Sequence, residues 1–182
     1  MKLTKIFHVI AAFSLLSSVA TTAKSESVWD IEYLPAGDYE SAFGIGFYQA
    51  KNEGMGFYGN FQITLSIREP HYDSLNISSF GDPVTDRYKE IMLFNFGITK
   101  KVTSNIIGYA GVGFVSVTGI AQKDDRFNIL ASNGKYYVND SSNDETSSNL
   151  NTGFVFGTEN ISFNIGYHSF TNTVYFGVGS RF

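Results

Sequence analysis

The sequence has few of the residues that fix a fold or a chemistry by themselves. Its 182 residues include no cysteine, three prolines and only 16% charged residues. Without cysteine there is neither a disulfide framework nor a thiolate metal site. A net charge of −4 makes a nucleic-acid partner unexpected, because such a partner requires a basic stripe. The 29 aromatic residues (17 Phe, 11 Tyr, 1 Trp) also argue against intrinsic disorder, so we expect one folded domain.

No stretch of the chain has the length of a transmembrane helix, although the first residues approach it. Lys2 and Lys5 precede an apolar run over 6–20, and small residues follow as far as Ala23. The run has roughly 15 residues, whereas a membrane-spanning helix needs about 20. This order is typical of a secretory signal peptide. We expect residues 1–23 to be removed, with cleavage after Ala20 as the alternative, which leaves a domain over 24–182.

A period of two runs through this domain, as it does in half-buried strands. Segment 57–68 reads FYGNFQITLSIR, with apolar residues at odd positions and mostly polar ones at even positions. A helix would instead place its apolar residues three and four apart. With the segments that share this rhythm, a Gly-rich strand and a weaker one near the start, the sequence predicts eight strands: 26–33, 39–50, 57–68, 88–98, 106–118, 149–157, 161–170 and 174–182.

The kind of polar residue decides which face of these strands meets water. In the last four segments Arg181 is the only charged residue, whereas the polar face of a soluble barrel would carry Lys and Glu. Small uncharged groups suit a narrow hydrogen-bonded interior, and large apolar groups suit lipid contact. The predicted interior residues are Tyr58, Asn60, Gln62, Asn151, Asn164 and His168. The predicted lipid-facing residues are Phe61, Ile63, Leu65, Phe94, Phe96, Phe154, Phe156, Phe163 and Ile165.

The connections between the predicted strands provide a separate test. With both termini on the inner side, the inner connections are 51–56, 99–105 and 158–160, all of them short. The outer connections include both long loops, 69–87 and 119–148. An even strand number, short inner turns and long outer loops are typical of single-chain bacterial outer-membrane barrels. The fold class is therefore predicted to be an all-β, eight-stranded antiparallel up-and-down transmembrane barrel.

The last eight residues, YFGVGSRF, end in Phe182 after apolar residues at alternate positions, among them Phe176 and Val178. They resemble the C-terminal signal of bacterial outer-membrane proteins, and segment 108–114 is similar to strands of small OmpA/OmpX-like barrels. The resemblance extends over the whole predicted domain as a pattern of strands and loops. It implies the outer membrane of a Gram-negative bacterium and recognition of Phe176, Val178 and Phe182 by the barrel-assembly machinery. It does not by itself imply a function, since the class contains anchors, adhesins and enzymes.

Residues capable of catalysis or metal binding are sparse and poorly arranged. Membrane-embedded lipid A deacylases use a His and a Ser two residues apart, whereas Ser169 directly follows His168 and points to the opposite face. His71 and the carboxylates around it show no ligand spacing, and 139–149 lacks the order of a calcium loop, so it is expected to be a solvated flexible loop. We therefore expect no catalytic site, cofactor or metal.

The sequence thus favours a non-enzymatic structural or surface-interaction protein that acts through loops 69–87 and 119–148. Eight strands enclose a space that side chains fill, so a diffusive pore is not expected. The expected environment is outer-membrane lipid and lipopolysaccharide, with an unidentified surface partner. Two alternatives stay open: a lipid-modifying enzyme with a site at the rim near His168, and a soluble periplasmic lipocalin-like binder.

Overall fold

A computed structural model describes residues 25–72, 81–158 and 160–182, almost all of them in or between β-strands. No helix in these ranges is long and apolar enough to cross a membrane. A short 3-10 turn lies at Ser141–Asn143. The strands are β1 (Ser25–Leu34), β2 (Ala42–Lys51), β3 (Gly56–Thr64), β4 (His71–Tyr72), β5 (Val84–Thr103), β6 (Ile106–Asp124), β7 (Lys135–Asn139), β8 (Glu145–Gly157), β9 (Ile161–His168) and β10 (Thr173–Arg181).

Eight of these strands close into a barrel. The ring runs β1, β2, β3, β5, β6, β8, β9 and β10, each strand pairs antiparallel with the next, and β10 returns to β1. At this seam the Ser27 N–H donates to the Phe182 carbonyl oxygen at 2.9 Å. Closure leaves the ring without a free edge. The prediction of an eight-stranded antiparallel up-and-down barrel is confirmed.

The alternation along each strand separates a polar interior from an apolar exterior. On β9, Ser162, Asn164 and His168 are buried, whereas Phe163 and Ile165 between them are exposed. This is the reverse of a soluble barrel, in which burial of the apolar face drives folding. The period of two is therefore real, and it orients uncharged amides and hydroxyls inward.

The weakest predicted strand is a full member of the ring. Strand β1 has ten residues and is hydrogen-bonded on both sides, to β2 from Ser25 to Leu34 and to β10 from Val28 to Tyr33. Ser25 and Arg181, where the ring begins and ends, lie at the end that carries the short turns from β2 to β3, from β5 to β6 and from β8 to β9. We call this the inner end, and the opposite end the outer end.

Strands β5 and β6 continue well past the outer end of the ring. Their partners stop earlier, because β3 pairs with β5 only as far as Met92 and β8 pairs with β6 only as far as Val117. Beyond these points β5 pairs with β6, β6 pairs with β7, and β7 takes β4 as a parallel neighbour. We call the part of this sheet beyond the ring, formed by 84–91, 117–124, β7 and β4, the outer extension.

The two long outer connections are consequently shorter and more ordered than predicted. Residues 84–87 and 119–124, assigned to loops 69–87 and 119–148, belong to strands, and β7 lies within the second loop. Segment 139–149 is mostly exposed, as predicted from its composition, but it is not an irregular loop, because it contains the 3-10 turn and the start of β8. Residues 73–80 of the first loop lie outside the described ranges.

Strand β3 ends four residues earlier than predicted, at Thr64. Leu65, predicted to face lipid from this strand, therefore lies beyond its end and is 68% exposed. The pairing of β3 with β2 ends at the same point, because Thr64 lies opposite Ala42, the first residue of β2.

Candidate functional site

The polar residues predicted to line the barrel interior are all buried there, with exposed fractions between 0% and 3%. They are Tyr58, Asn60, Gln62, Asn151, Asn164 and His168. Asn164 on β9 shows how densely they are connected. Its Nδ2 donates to Asp30 Oδ2 at 2.9 Å and to the Tyr48 hydroxyl at 2.7 Å, and its Oδ1 accepts from the Tyr109 hydroxyl at 2.8 Å.

Glu32 of β1 is the centre of this interior network. Its carboxylate accepts from the Tyr48 hydroxyl at 2.5 Å, from Gln62 Nε2 at 2.6 Å and from Asn60 Nδ2 at 2.9 Å. The sequence reasoning did not select Glu32 or its neighbour Asp30, because the first strand was its weakest. The signal was nevertheless present, since both residues alternate with the apolar side chains of the same strand.

Tyrosine rings occupy the space that a channel would need. The rings of Tyr48 and Tyr58 are stacked with centroids 5.6 Å apart, and the ring of Tyr109 lies 4.9 Å from each. The Tyr109 and Tyr175 hydroxyls are 2.7 Å apart. An eight-stranded barrel has an interior about as wide as its side chains, and these four rings fill it.

His168 belongs to the same network. Its Nε2 lies 3.0 Å from Gln62 Oε1, and its Nδ1 lies 2.9 Å from Asn149 Nδ2 and 3.1 Å from Asn151 Nδ2. Since an amide nitrogen can only donate, Nδ1 accepts and Nε2 donates, which is a neutral imidazole with both nitrogens bonded. The ring also stacks on Tyr175. Both nitrogens are therefore occupied within a packed interior.

Ser169, the candidate partner of His168, lies on the opposite side of the chain. Its side chain is exposed, and its Oγ accepts from the Leu150 N–H at 2.8 Å. The two side chains do not form a hydrogen-bonded nucleophile and base. The geometry supports the sequence argument that placed them on opposite faces.

An ionic layer covers the outer end of the interior. The Arg68 guanidinium lies between Glu40 and Glu90 and bonds both carboxylates. It also lies over the Tyr88 ring, 4.3 Å from its centroid. Beside it, Tyr39 packs against Phe170, with ring centroids 5.4 Å apart.

A second ionic layer covers the inner end. The Arg181 guanidinium pairs with Glu26 of β1 and donates to the carbonyl oxygens of Ser104 at 3.1 Å and Gly157 at 3.3 Å. The other oxygen of Glu26 accepts from Lys101 Nζ at 2.8 Å. Arg181 thus connects the first strand, the last strand and two inner turns.

The outer extension has a small apolar core of its own. Tyr136 and Val138 of β7 pack with Ala121 of β6 and with Ala131, and Tyr72 and Leu130 lie against them. The Tyr72 hydroxyl donates to the Leu130 carbonyl oxygen at 2.8 Å, and the Tyr136 hydroxyl donates to Asp82 at 3.1 Å. The extension is therefore a packed substructure rather than a pair of loose loops.

The turn from β6 to β7 is held by one carboxylate. Asp125 accepts from the backbone N–H groups of Ile129 at 3.1 Å, Leu130 at 2.6 Å and Ala131 at 2.7 Å. Burial acts to raise the pKa of Asp125, but the backbone donors outweigh it and hold the pKa below its ordinary value. We call residues 126–129 the tip; Phe127 and Ile129 within it are 76% and 70% exposed.

A cluster of polar contacts around Asp140 joins the extension to the ring where β6 changes partners from β8 to β7. Asp140 accepts from Ser142 Oγ at 2.5 Å and from Asn143 Nδ2 at 2.8 Å, and it pairs with Arg87 at 2.6 Å. The Ser142 hydroxyl bond, followed by those from Asn143 and Arg87, lowers the pKa of Asp140. Gly119 packs against this cluster, and a Cβ at this position would come within 2.6 Å of the Asp140 carbonyl oxygen.

The described ranges contain no group of three or more His, Cys, Asp or Glu side chains placed to hold a metal ion. His71 instead lies 2.9 Å from Asn139 through its Nε2, between β4 and β7. Its role in the extension is to join two neighbouring strands.

The residues predicted to face lipid all lie on the outside of the barrel or at its end. Phe61 and Ile63 are partly covered by neighbouring side chains. Six other residues of the predicted set lie on the ring and are more than a third exposed: Phe94, Phe96, Phe154, Phe156, Phe163 and Ile165. Phe176, Val178 and Phe182 at the end of the chain are at least half exposed on the same surface.

Comparison with known proteins identifies the fold. No family model and no curated protein matches the chain. Among solved structures, the Yersinia pestis outer membrane protein Ail in a phospholipid bilayer nanodisc has a TM-score of 0.52 and 18% identity, over 87% of this chain and 100% of that chain. The crystal structure of Ail, the attachment invasion locus protein of Yersinia pestis, has a TM-score of 0.49 and 14% identity, over 88% and 100% of the two chains. The first of these likenesses, together with the ring of eight strands, confirms the resemblance to small eight-stranded outer-membrane barrels at the level of the fold.

Proposed function

We propose that the protein is an exported outer-membrane β-barrel of a Gram-negative bacterium that serves a non-enzymatic role in surface interaction. One observation carries this proposal: the ring buries its amides and hydroxyls and exposes a belt of Phe, Ile and Val. Water would not stabilise such a surface, whereas hydrocarbon would. Removal of residues 1–23 as a signal peptide completes the proposed route to the membrane.

The contact surface of this function is the outer extension with the connections around it. It stands beyond the ring, has its own core and exposes large side chains at its tip. Rigid presentation of loops by a barrel is a common way to carry a binding function. Lipopolysaccharide surrounds such a surface in the outer leaflet, and we propose it as the lipid neighbour of the extension.

The alternatives have less support. A lipocalin-like binder needs a cavity inside its barrel, but this interior is filled by tyrosines and amides. A lipid-modifying enzyme near His168 needs an accessible imidazole, but both nitrogens of His168 are bonded and its side chain is fully buried. A diffusive pore needs an open path, but ionic layers cover both ends of the interior.

Fractionation and gel migration test the membrane assignment. We expect the protein in the outer-membrane fraction, with a mobility in unheated samples that differs from that of boiled samples, as detergent-resistant barrels show. Release with periplasmic contents, or one mobility in both samples, would contradict the proposal. Labelling of intact cells with a membrane-impermeant amine reagent should modify Lys135 of the extension and spare Lys51 at the inner end.

We also propose that the barrel-assembly machinery recognises the end of β10 through Phe176, Val178 and Phe182. All three side chains are exposed at alternate outward positions, with Ser180 between the last two. Deletion of Phe182 should lower the folded fraction in cells while the purified chain still folds in detergent. A matched Ser180→Ala variant should assemble normally. An equal folded fraction in cells for the deletion and the parent would contradict the recognition.

A further inference from the structure

The tip of the outer extension exposes large apolar side chains to solvent instead of burying them in the core of the extension. Phe127 is 76% exposed and Ile129 is 70% exposed, whereas Leu130, the next residue, turns inward onto the core of the extension. Exposed large apolar groups placed together at one end of a molecule usually mark a contact site. Charge and shape around the tip indicate which kind of partner fits it.

The exposure of the tip is enforced by the backbone. The three bonds from the N–H groups of 129–131 to Asp125 fix the turn, and the Asp125 N–H donates to the Gly134 carbonyl oxygen at 2.9 Å. Asn128 between the two apolar residues has a φ of 50°, and its N–H donates to the Asp125 carbonyl oxygen at 3.1 Å, so the chain bends tightly at the tip. The tip is therefore ordered before any partner arrives, which lowers the entropic cost of contact.

The exposed charges nearest the tip are positive although the whole chain is acidic. Arg126 and Lys135 are exposed, whereas Asp124 is half-buried and Asp125 is buried under backbone N–H groups. Glu69 is exposed on the side that faces 130–133, away from the apolar pair. Apolar side chains flanked by cations are typical of segments that enter the interface of an anionic bilayer.

The shape of the tip favours a lipid surface over a protein. A stable protein interface takes about 20 to 30 residues from each side and needs a complementary pocket. The tip is convex and consists of four residues, so it has too little area for such an interface. A bilayer accepts a convex apolar protrusion without a preformed pocket, because lipid headgroups move aside.

The extension also determines which bilayer the tip reaches. From Val117, where β8 ends its pairing, to Asp124 the strand rises by roughly 20 Å at about 3.3 Å per residue. This distance separates the tip from the hydrocarbon that surrounds the ring. Resting on the proposed function, we propose that Phe127 and Ile129 insert into the interface of an apposed bilayer with anionic headgroups, and that Arg126 and Lys135 contact those headgroups.

Vesicle flotation tests this proposal with the folded barrel in a phosphatidylcholine nanodisc. The nanodisc should float with vesicles of phosphatidylcholine mixed with phosphatidylglycerol, and much less with vesicles of phosphatidylcholine alone. Phe127→Ser with Ile129→Ser should lower the bound fraction by about tenfold or more. Arg126→Gln should lower binding to the anionic vesicles by about fivefold without affecting the weak binding to neutral ones.

Ile67→Ser is the matched control for Ile129→Ser, since Ile67 is 93% exposed on the same end of the molecule but outside the tip. It should bind vesicles like the parent. No flotation with any vesicle would overturn the proposal. So would an equal loss of vesicle binding in Ile67→Ser and in the variant that carries Phe127→Ser with Ile129→Ser. Gel migration of the same samples, heated and unheated, separates this outcome from failure of the barrel assignment.

Discussion

Single side chains in the barrel interior make several hydrogen bonds each, so the loss of one amide removes a bond from several partners at once. Asn164 is the clearest case, because its side chain joins Asp30, Glu32 and Tyr48 as a donor and Tyr109 as an acceptor. All of these atoms are buried away from water. A buried polar group without a partner costs about 1–3 kcal/mol, which makes the interior sensitive to small truncations.

We therefore expect Asn164→Ala to lower the free energy of unfolding by about 2–4 kcal/mol, because at least two buried partners lose a bond. Urea unfolding in detergent micelles, followed by gel migration without heating, measures this change. Asn52→Ala provides the control, since Asn52 is exposed and its side chain accepts a bond from Lys101 at the inner end. Similar unfolding of both variants would contradict the interior network.

Asp125 allows a test of pH dependence at the tip. The pKa of Asp125 lies below its ordinary value of 3.8, so the ionised carboxylate stabilises the turn fully at pH values above 3.8. This stabilisation is lost as the pH falls through the pKa of the folded protein. Asp125→Ala should remove this stabilisation of the turn at every pH. Trypsin cleavage after Arg126 should then be faster at neutral pH than in the parent.

Asp124→Asn is the neighbouring control for this change. Its backbone N–H donates to the Pro83 carbonyl oxygen, a bond that the substitution retains. Cleavage after Arg126 should remain at the rate of the parent. Unchanged cleavage in Asp125→Ala would show that the carboxylate does not fix the turn.

At the level of strands, the sequence predicts those parts of the fold in which local alternation and burial agree. The bounds of β9 and β10 differ from prediction by two residues or fewer, because every second residue there except Ser180 is apolar and faces outward. The stretch 84–87, which includes Asp86 and Arg87, has no such pattern, and its strand is formed by pairing with β6. Those contacts are remote in sequence, so local reasoning could not predict them.

The same contrast explains what was missed at the candidate site. Interior amides such as Asn60 and Gln62 follow from the period of two on a long strand. Glu32 does not, since a buried carboxylate is understandable only when its donors from other strands are known. The exposure of Phe127 depends likewise on the bonds of Asp125 to the turn.

The seam between β1 and β10 supplies a prediction about closure of the ring. Arg181→Gln should lower the free energy of unfolding by about 2–3 kcal/mol, because Glu26 loses a buried partner and two inner turns lose donors. Arg181→Lys should recover part of this loss through its charge alone. The folded fraction after dilution from urea into detergent measures both variants.

Ser180→Ala is a suitable control for the seam, since the side chain of Ser180 is exposed on the same strand. It should fold like the parent. If Arg181→Gln also folds like the parent, the ionic layer at the inner end is not required for closure.

For the whole molecule, the outward apolar belt distinguishes a membrane barrel from a soluble one. The two differ in how much a charge placed on the belt lowers the free energy of unfolding. Phe96 lies in the middle of the part of β5 that pairs with β3 and is 45% exposed. In a bilayer, Phe96→Lys places a charge against hydrocarbon and should cost about 2–4 kcal/mol. In a soluble barrel the same change would place a charge in water and be tolerated.

Ile67→Lys is the matched change outside the belt, where we expect an effect close to zero in either case. Unfolding by urea in phosphatidylcholine vesicles, followed by gel migration without heating, gives the two free energies under one condition. A large loss for Phe96→Lys with none for Ile67→Lys requires lipid around the ring. Equal stability of the two variants would mean that water surrounds the belt, and the outer-membrane assignment would then fail together with the proposals based on it.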